Sequence, residues 1–113
     1  MKKVYRVKKN KEFQYILNTG NSFANRELVI YYKEKPNQTH FRIGISVGKK
    51  LGNAVTRNKI KRYIREVFHQ LEDQIVPNID IIIIARYPTV NMNLFQFKKS
   101  IMYLLRKQNL LLK

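Results

Sequence analysis

The chain has 113 residues, no cysteine, and 23 Lys and Arg against seven Asp and Glu, a formal net charge of +16. This length suits one domain and not two, and the lack of cysteine excludes a disulfide framework or a thiolate metal site. Apolar residues make up 44 % and fall in periodic runs, which excludes a disordered basic tail. A charge this high repels itself and draws polyanions, nucleic acid first and an anionic membrane second.

Residues 1–9, "MKKVYRVKK", read as a basic N-terminal arm. The start is basic but reaches no continuous apolar core, so no secretory signal is expected, and no run is long enough to span a bilayer. The expectation is a soluble, cytoplasmic protein. A short helix is predicted from Asn10, read as its N-cap, to Gly20, read as its C′ residue, with Phe13, Ile16 and Leu17 as its apolar stripe. "RELVIYYK", Arg26 to Lys33, is rich in β-branched and aromatic residues and reads as a strand. "EKPNQT" reads as a turn, and "HFRIGISV", His40 to Val47, as the hairpin partner of that strand. In the returning strand Phe41, Ile43, Ile45 and Val47 point one way, and Arg42, Gly44 and Ser46 the other. The second face is small and polar, which leaves room for something to lie against it.

Gly48 and Gly52 punctuate a loop before a helix that Asn53 caps and that runs to about Leu71. Ile60, Ile64, Val67, Phe68 and Leu71 form its buried stripe. "NIDIIIIAR" supplies a strand so apolar that both faces are expected to be covered, and Pro88 blocks its continuation. A last helix, Asn93 to Asn109, would bury Leu94, Phe97, Ile101, Leu104 and Leu105. The order is helix, two or three strands, helix, strand and helix, taken as α-β-β-β-α-β-α: an α+β fold, a single-domain α/β sandwich with a mixed sheet of about four strands.

The chemistry concentrates in "KKLGNAVTRNKIKRYIRE", which carries Lys49, Lys50, Arg57, Lys59, Lys61, Arg62 and Arg65 with no acid before Glu66. At about 100° per residue, Asn58, Lys61, Arg62 and Arg65 share the side away from the apolar stripe. Arg57 lies at the flank and Lys59 towards the other edge. Like charges at i,i+4, such as Arg57–Lys61 and Lys61–Arg65, cost roughly a few tenths of a kcal/mol each. Phosphate neutralisation with counterion release returns more. A basic amphipathic helix also suits a membrane surface, but this one has no Trp or Phe anchor at its start and needs its apolar face for the sheet. Nucleic acid is the better partner.

Exposed aromatics bear on which nucleic acid. If the Leu28 side of its strand is core, Tyr31 and Lys33 lie on the open face beside Arg42 and Ser46, a stacking platform for a single strand. Tyr31 reads equally as a half-buried structural tyrosine, and Phe13 and Leu17 serve equally as groove wall or plain core. Catalysis by the chain itself finds little support. Its acids, Glu12, Glu27, Glu34, Glu66, Glu72, Asp73 and Asp80, are scattered in sequence, and nothing there brings His40 and His69 together. Glu72 and Asp73 are adjacent, and on a helix end such a pair is expected to diverge and serve solubility.

"FRIGISVGKKLGNAVTRNKIKRYIRE" closely resembles the central segment of the bacterial ribonuclease P protein subunit. In that family a strand ending in a Gly-x-Ser-Val-like run leads through Lys-Lys-x-Gly-x-Ala-Val into an Arg-Asn-Arg-x-x-Arg helix. "RVKKNKEFQYILNTG" looks like its first helix, "ANRELVIYY" its first long strand and "DIIIIARYP" its last strand, so the resemblance covers nearly the whole chain. Lys59 departs from the pattern, keeping the charge of arginine without its bidentate fork.

The resemblance implies an RNA-binding subunit of a ribonucleoprotein that removes the 5′ leader from precursor tRNA, with the chemistry carried by the RNA subunit and Mg²⁺ held mainly by RNA. No catalytic residue and no tightly bound cofactor is then expected on this chain, and association with a second copy is not predicted. Arg57, Asn58, Lys59, Lys61, Arg62 and Arg65, with Lys49 and Lys50, would bind the catalytic RNA. Phe13, Leu17, Tyr31, Lys33 and Ser46 would line the leader cleft. The family also has a left-handed βαβ crossover, where general rules favour the right-handed one. A general RNA binder and a stand-alone metal-dependent nuclease are the competing readings.

Overall fold

The structure is a computed structural model and describes residues 5–112. The elements run α1 (Asn10–Thr19), β1 (Asn21–Ala24), β2 (Leu28–Glu34), β3 (Arg42–Ser46), α2 (Ala54–Gln70), β4 (Ile79–Ala85) and α3 (Leu94–Lys107). One-turn 3₁₀ segments at Lys49–Leu51, Glu72–Gln74 and Tyr87–Asn91 join them. The α+β expectation holds, with a mixed sheet of order β1-β2-β4-β3.

That order corrects the hairpin expected between β2 and β3. They do not pair: β4 lies between them, antiparallel to β2 and parallel to β3. The reason lies in β4 itself, in which every residue except Ile84 is buried. A strand apolar on both faces is most stable at the sheet centre, covered by both layers and paired on both edges; each fully buried Ile contributes roughly 1.5–3 kcal/mol. The segment expected to form a hairpin turn instead crosses the end of β4. Lys35 N–H donates to the Asn78 carbonyl at 2.8 Å and Gln38 Nε2 to the Ile79 carbonyl at 3.0 Å. The strand that does form a hairpin with β2 is β1, closed by Asn25, whose Oδ1 accepts from the Glu27 and Leu28 amides at 3.0 and 2.8 Å.

Side-chain alternation sorts the two layers. Leu28, Ile30, Ile43, Ile81 and Ile83 pack with Ile60, Ile64, Val67 and Phe68 of α2 and with Phe97, Ile101, Leu104 and Leu105 of α3. The predicted α2 stripe is buried throughout, Leu71 included, whereas Leu94 of α3 is only half-buried. Asn53 caps α2 by accepting from the Thr56 amide at 3.0 Å, and Asn93 forms a reciprocal capping box with Gln96. On the opposite sheet face α1 lies alone, with Ile16 and Val7 packed on Ile82.

Two details of α1 depart from expectation. Lys9 occupies the N-cap position without a side-chain cap, and Asn10 is already helical. Gly20 has an extended φ of −81°, so it is no left-handed terminator. Its constraint is steric, because a Cβ there would sit 2.6 Å from the carbonyl oxygens of Ile16 and Tyr32. Of the basic arm, residues 1–4 lie outside the described residues. The rest is docked: Val7 N–H donates to the Ile43 carbonyl at 2.8 Å along the outer edge of β3, and Tyr5 stacks on His40 at 3.5 Å.

A candidate RNA interface

The strand register lays three rows across the α1 side of the sheet. They are Lys33–Asp80–Arg42, then Tyr31–Ile82–Gly44, then Val29–Ile84–Ser46. The room left by Gly44 is filled by the Phe13 ring, close enough that a Cβ on Gly44 would stand 2.5 Å from a ring carbon. Helix α1 therefore sits over the first two rows and divides the face.

One flank of α1 is an ionic anchor. Arg42 donates from Nε and Nη2 to the two carboxylate oxygens of the fully buried Asp80, at 2.9 and 2.6 Å. It also donates from Nη2 to Glu12 of α1 at 2.9 Å. The bond to Asp80 holds the Arg42 guanidinium well above its ordinary pKa, against the opposing effect of burial. Lys35 completes the group, 3.9 Å from Asp80. Tyr15 stands on this same flank, with the Lys33 and Lys35 ammonium groups 5.5 and 5.9 Å from its ring centre.

The other flank is a groove. Phe13, Leu17, Tyr31 and Ile84 are half-buried around the Val7–Ile16–Ile82 cluster, and the exposed Ser46 ends the third row. Four of the five expected cleft residues, Phe13, Leu17, Tyr31 and Ser46, thus come together. Lys33 does not join them. Tyr15 and Leu17 are two residues apart, hence about 160° apart around the helix, and the Lys33 ammonium lies with Tyr15. Ile84 and Val29 are floor residues that the sequence reading did not assign to the cleft. Alternation cannot show which isoleucine of an all-apolar strand is left partly open.

Helix α2 presents its cations in two groups. Lys61 and Arg65 turn towards the docked N-terminal segment and, with Arg6, Lys8, Phe13 and Gly44, line a small cavity of about 140 Å³. Burial, then the charge of Arg6, pushes the Arg65 guanidinium below its ordinary pKa. This cavity makes the basic helix and the groove one continuous surface joined at Phe13, and it brings in Arg6 and Lys8 as cations not previously singled out. Lys59 and Arg62 straddle Tyr63, at 5.7 and 5.6 Å from its ring centre. Arg57 donates from Nε to the Gly52 carbonyl at 3.1 Å, at a glycine whose φ of +145° suits no other residue. Asn58, Lys49 and Lys50 are exposed. Among the described residues no carboxylate lies within 4.0 Å of Lys49, Lys50, Arg57, Lys59, Lys61, Arg62 or Arg65. A polyanion is what such a face lacks.

Both histidines converge on one acid. His40 Nε2 is 3.0 Å and His69 Nδ1 3.9 Å from the two oxygens of Glu72. The Glu72–Asp73 pair therefore does more than solubilise a helix end, since Glu72 ties the β2–β3 connection to the end of α2. This cluster is remote from the groove's third row, lying where β3 begins rather than ends. Among the described residues no group of three or more acids and histidines is placed to hold a metal ion.

Comparison with known proteins identifies the family. The family model described as Ribonuclease P matches residues 1–109. The ribonuclease P protein component of Oceanobacillus iheyensis is 63 % identical over 111 residues, covering 98 % of this chain and 92 % of that relative. The component from Listeria welshimeri is 56 % identical over 106 residues, with coverage of 94 % and 89 %. Among solved structures, a Staphylococcus aureus RNase P protein mutant with defective mRNA degradation activity superposes with a TM-score of 0.89 at 47 % identity, covering 96 % of this chain and 91 % of that one. The RNase P protein of Thermotoga maritima gives a TM-score of 0.83 at 27 % identity, with coverage of 90 % and 96 %. The chain belongs to the family of bacterial ribonuclease P protein components, subunits of a tRNA-processing endoribonuclease.

Proposed function

We propose that the chain binds and positions RNA while the RNA subunit cuts, so that the 5′ leader of precursor tRNA is removed at lower Mg²⁺ than the RNA alone requires. The observation that carries this reading is the continuity of two surfaces. The cations of α2, with no carboxylate within 4.0 Å among the described residues, meet the Phe13–Leu17–Tyr31–Ile84–Ser46 groove at the Lys61–Arg65 cavity. Phosphates of the catalytic RNA would dock on Arg57, Asn58, Lys59, Arg62, Lys49 and Lys50, each neutralised phosphate releasing counterions. The single-stranded leader would lie along the groove, with a base against Tyr31 and its backbone passing the Lys61 and Arg65 end. Lys33, on the far flank of α1, is left out of the cleft.

Mg²⁺ supplies the hydrolytic chemistry of the holoenzyme. On this reading the ion is held mainly by RNA. The chain's contribution is electrostatic: its cations replace part of the Mg²⁺ that would otherwise screen phosphate repulsion between the two RNAs.

The test is cleavage of a precursor tRNA at low Mg²⁺ by the cognate RNA subunit, with and without this protein, beside a protein-only control. Rescue with a silent control is the expected result. Absence of rescue would leave a general RNA binder, and cutting by protein with Mg²⁺ alone would make the chain a nuclease in its own right.

A further inference from the structure

A second cavity lies outside the groove and the basic helix. It is an open pocket of about 710 Å³ between the β1–β2 turn, the Tyr87–Asn91 segment and α3. Its size falls in the ordinary range for small-molecule sites, roughly 300–1,000 Å³.

The register fixes where this pocket sits relative to the groove. Val29, Ile84 and Ser46 form the last row of the groove. The chain leaves that row at the β1–β2 turn and at Arg86, and these two exits are tied together. Arg86 N–H donates to the Glu27 carbonyl at 2.9 Å, and Arg86 Nη1 to the Asn25 carbonyl at 3.1 Å. The pocket opens immediately beyond this tie, around the same end of the sheet but on the α3 face. Arg26 and Arg86, at this end of the sheet, are both exposed.

The walls have the chemistry of a base pocket. Tyr103 is 44 % exposed, with the Phe23 ring tilted beside it at 6.5 Å between centres and the flexible Lys107 side chain holding its ammonium 5.8 Å from the Tyr103 ring centre, where an incoming base would take its place. Met92 offers a soft apolar wall opposite polar groups that are already oriented. Buried Ser100 accepts from Asn25 Nδ2 at 2.8 Å and donates to Glu27 Oε1 at 3.0 Å, which holds the Glu27 carboxylate at the pocket as an acceptor. Gln96 Oε1 is committed to the Asn93 amide at 2.8 Å, which leaves its NH₂ group as a donor. Arg26 and Lys99 supply charge for the adjoining phosphates, and α3 carries no acid at all.

We propose that this pocket takes a distal base of the precursor tRNA leader, stacked on Tyr103 and read by Glu27 and Gln96, so that the leader track continues around the β1–β2 end of the sheet. A carboxylate acceptor favours a base with an exocyclic amino group over uracil. The inference rests on the leader reading of the groove and deepens it.

The experiment measures the affinity of the reconstituted holoenzyme for precursor tRNAs whose leaders are lengthened one nucleotide at a time. Tyr103→Ala, Tyr103→Phe and Tyr31→Ala are compared with the unmodified protein. Tyr103→Ala is expected to match the unmodified protein on short leaders and to bind about 5- to 150-fold more weakly once the leader reaches the pocket. Tyr103→Phe keeps the ring and should bind normally, which separates stacking from a hydrogen bond of the phenol, and normal binding of short leaders by Tyr103→Ala shows that its fold is intact. An abasic nucleotide at the same leader position should erase the difference between Tyr103→Ala and the unmodified protein. A Tyr103→Ala effect that is absent at every length, or equal for leader-bearing and mature tRNA, overturns the proposal. So does a loss confined to affinity for the RNA subunit, which would make that RNA the occupant. A length-dependent loss at Tyr31 with none at Tyr103 overturns the pocket alone, whereas no leader-dependent loss at Tyr31 overturns the cleft reading beneath it.

Discussion

Replacing Arg42 by Gln tests the anchor that holds α1 across the sheet. Asp80 is fully buried, and the substitution removes both of its short bonds, at 2.9 and 2.6 Å. Hydrogen bonds to charged groups contribute about 1.5–3 kcal/mol each, and breaking a buried pair from one side costs about 3–5 kcal/mol. Lys35 remains at 3.9 Å and Arg42 is itself 22 % exposed, so some charge and water still reach the site. These soften the loss, and about 3 kcal/mol is the expected destabilisation, a large part of the roughly 5–15 kcal/mol of a typical domain. Urea unfolding at fixed ionic strength reads it as a lower midpoint at unchanged slope. The outer bond is worth less: Glu12→Gln removes only the partly exposed contact to Arg42 and should cost about 0.5–1 kcal/mol. The reasoning makes a sharper demand on the double variant. Arg42→Leu with Asp80→Leu leaves no buried charge behind and should recover most of the loss. A single-variant cost below about 1 kcal/mol, or a double variant no better than the sum of its parts, would refute the account.

Gly44→Ala places a methyl against the Phe13 ring, so it should cost about 1–3 kcal/mol by overpacking and weaken affinity for leader-bearing substrate through the displaced ring; thermal unfolding and substrate titration report the two effects. Tyr31→Ala should weaken substrate affinity by about 1–3 kcal/mol only when a leader is present, and equal losses for leader-bearing and mature tRNA would remove Tyr31 from the cleft. Arg62→Ala should weaken binding to the RNA subunit and lower the slope of log affinity against log salt by about one, and an unchanged slope would mean that Arg62 meets no phosphate.

Much of the fold was legible along the chain because local rules decided it. Ile60, Ile64, Val67 and Phe68 recur at helical spacing, and Asn53 stands where a cap belongs, so α2 was readable nearly to the residue. The β4 run was readable as a strand covered on both sides for the same reason, since its composition leaves no polar face. The hairpin between β2 and β3 failed because a strand–turn–strand pattern carries no mark of a third strand that inserts between the two later. The Asn10 cap failed because Lys9 and not Asn10 takes the extended cap conformation. Asp80 looked like one of several scattered acids, and its meaning depends on Arg42, 38 positions away. His40 and His69 likewise meet only through Glu72.

By itself, the sequence determined that this protein would carry an unbalanced cationic helix, an apolar central strand and a motif of its family. Those properties follow from composition and from spacings of a few residues. Tertiary structure alone decided where the groove lies. The Phe13 ring seats on Gly44, α1 is pinned at one flank by Arg42 and Asp80, and the third row of the sheet is thereby left open while Lys33 falls on the wrong side. Which face of a strand remains exposed depends on what packs against it, and packing joins residues that no local pattern connects.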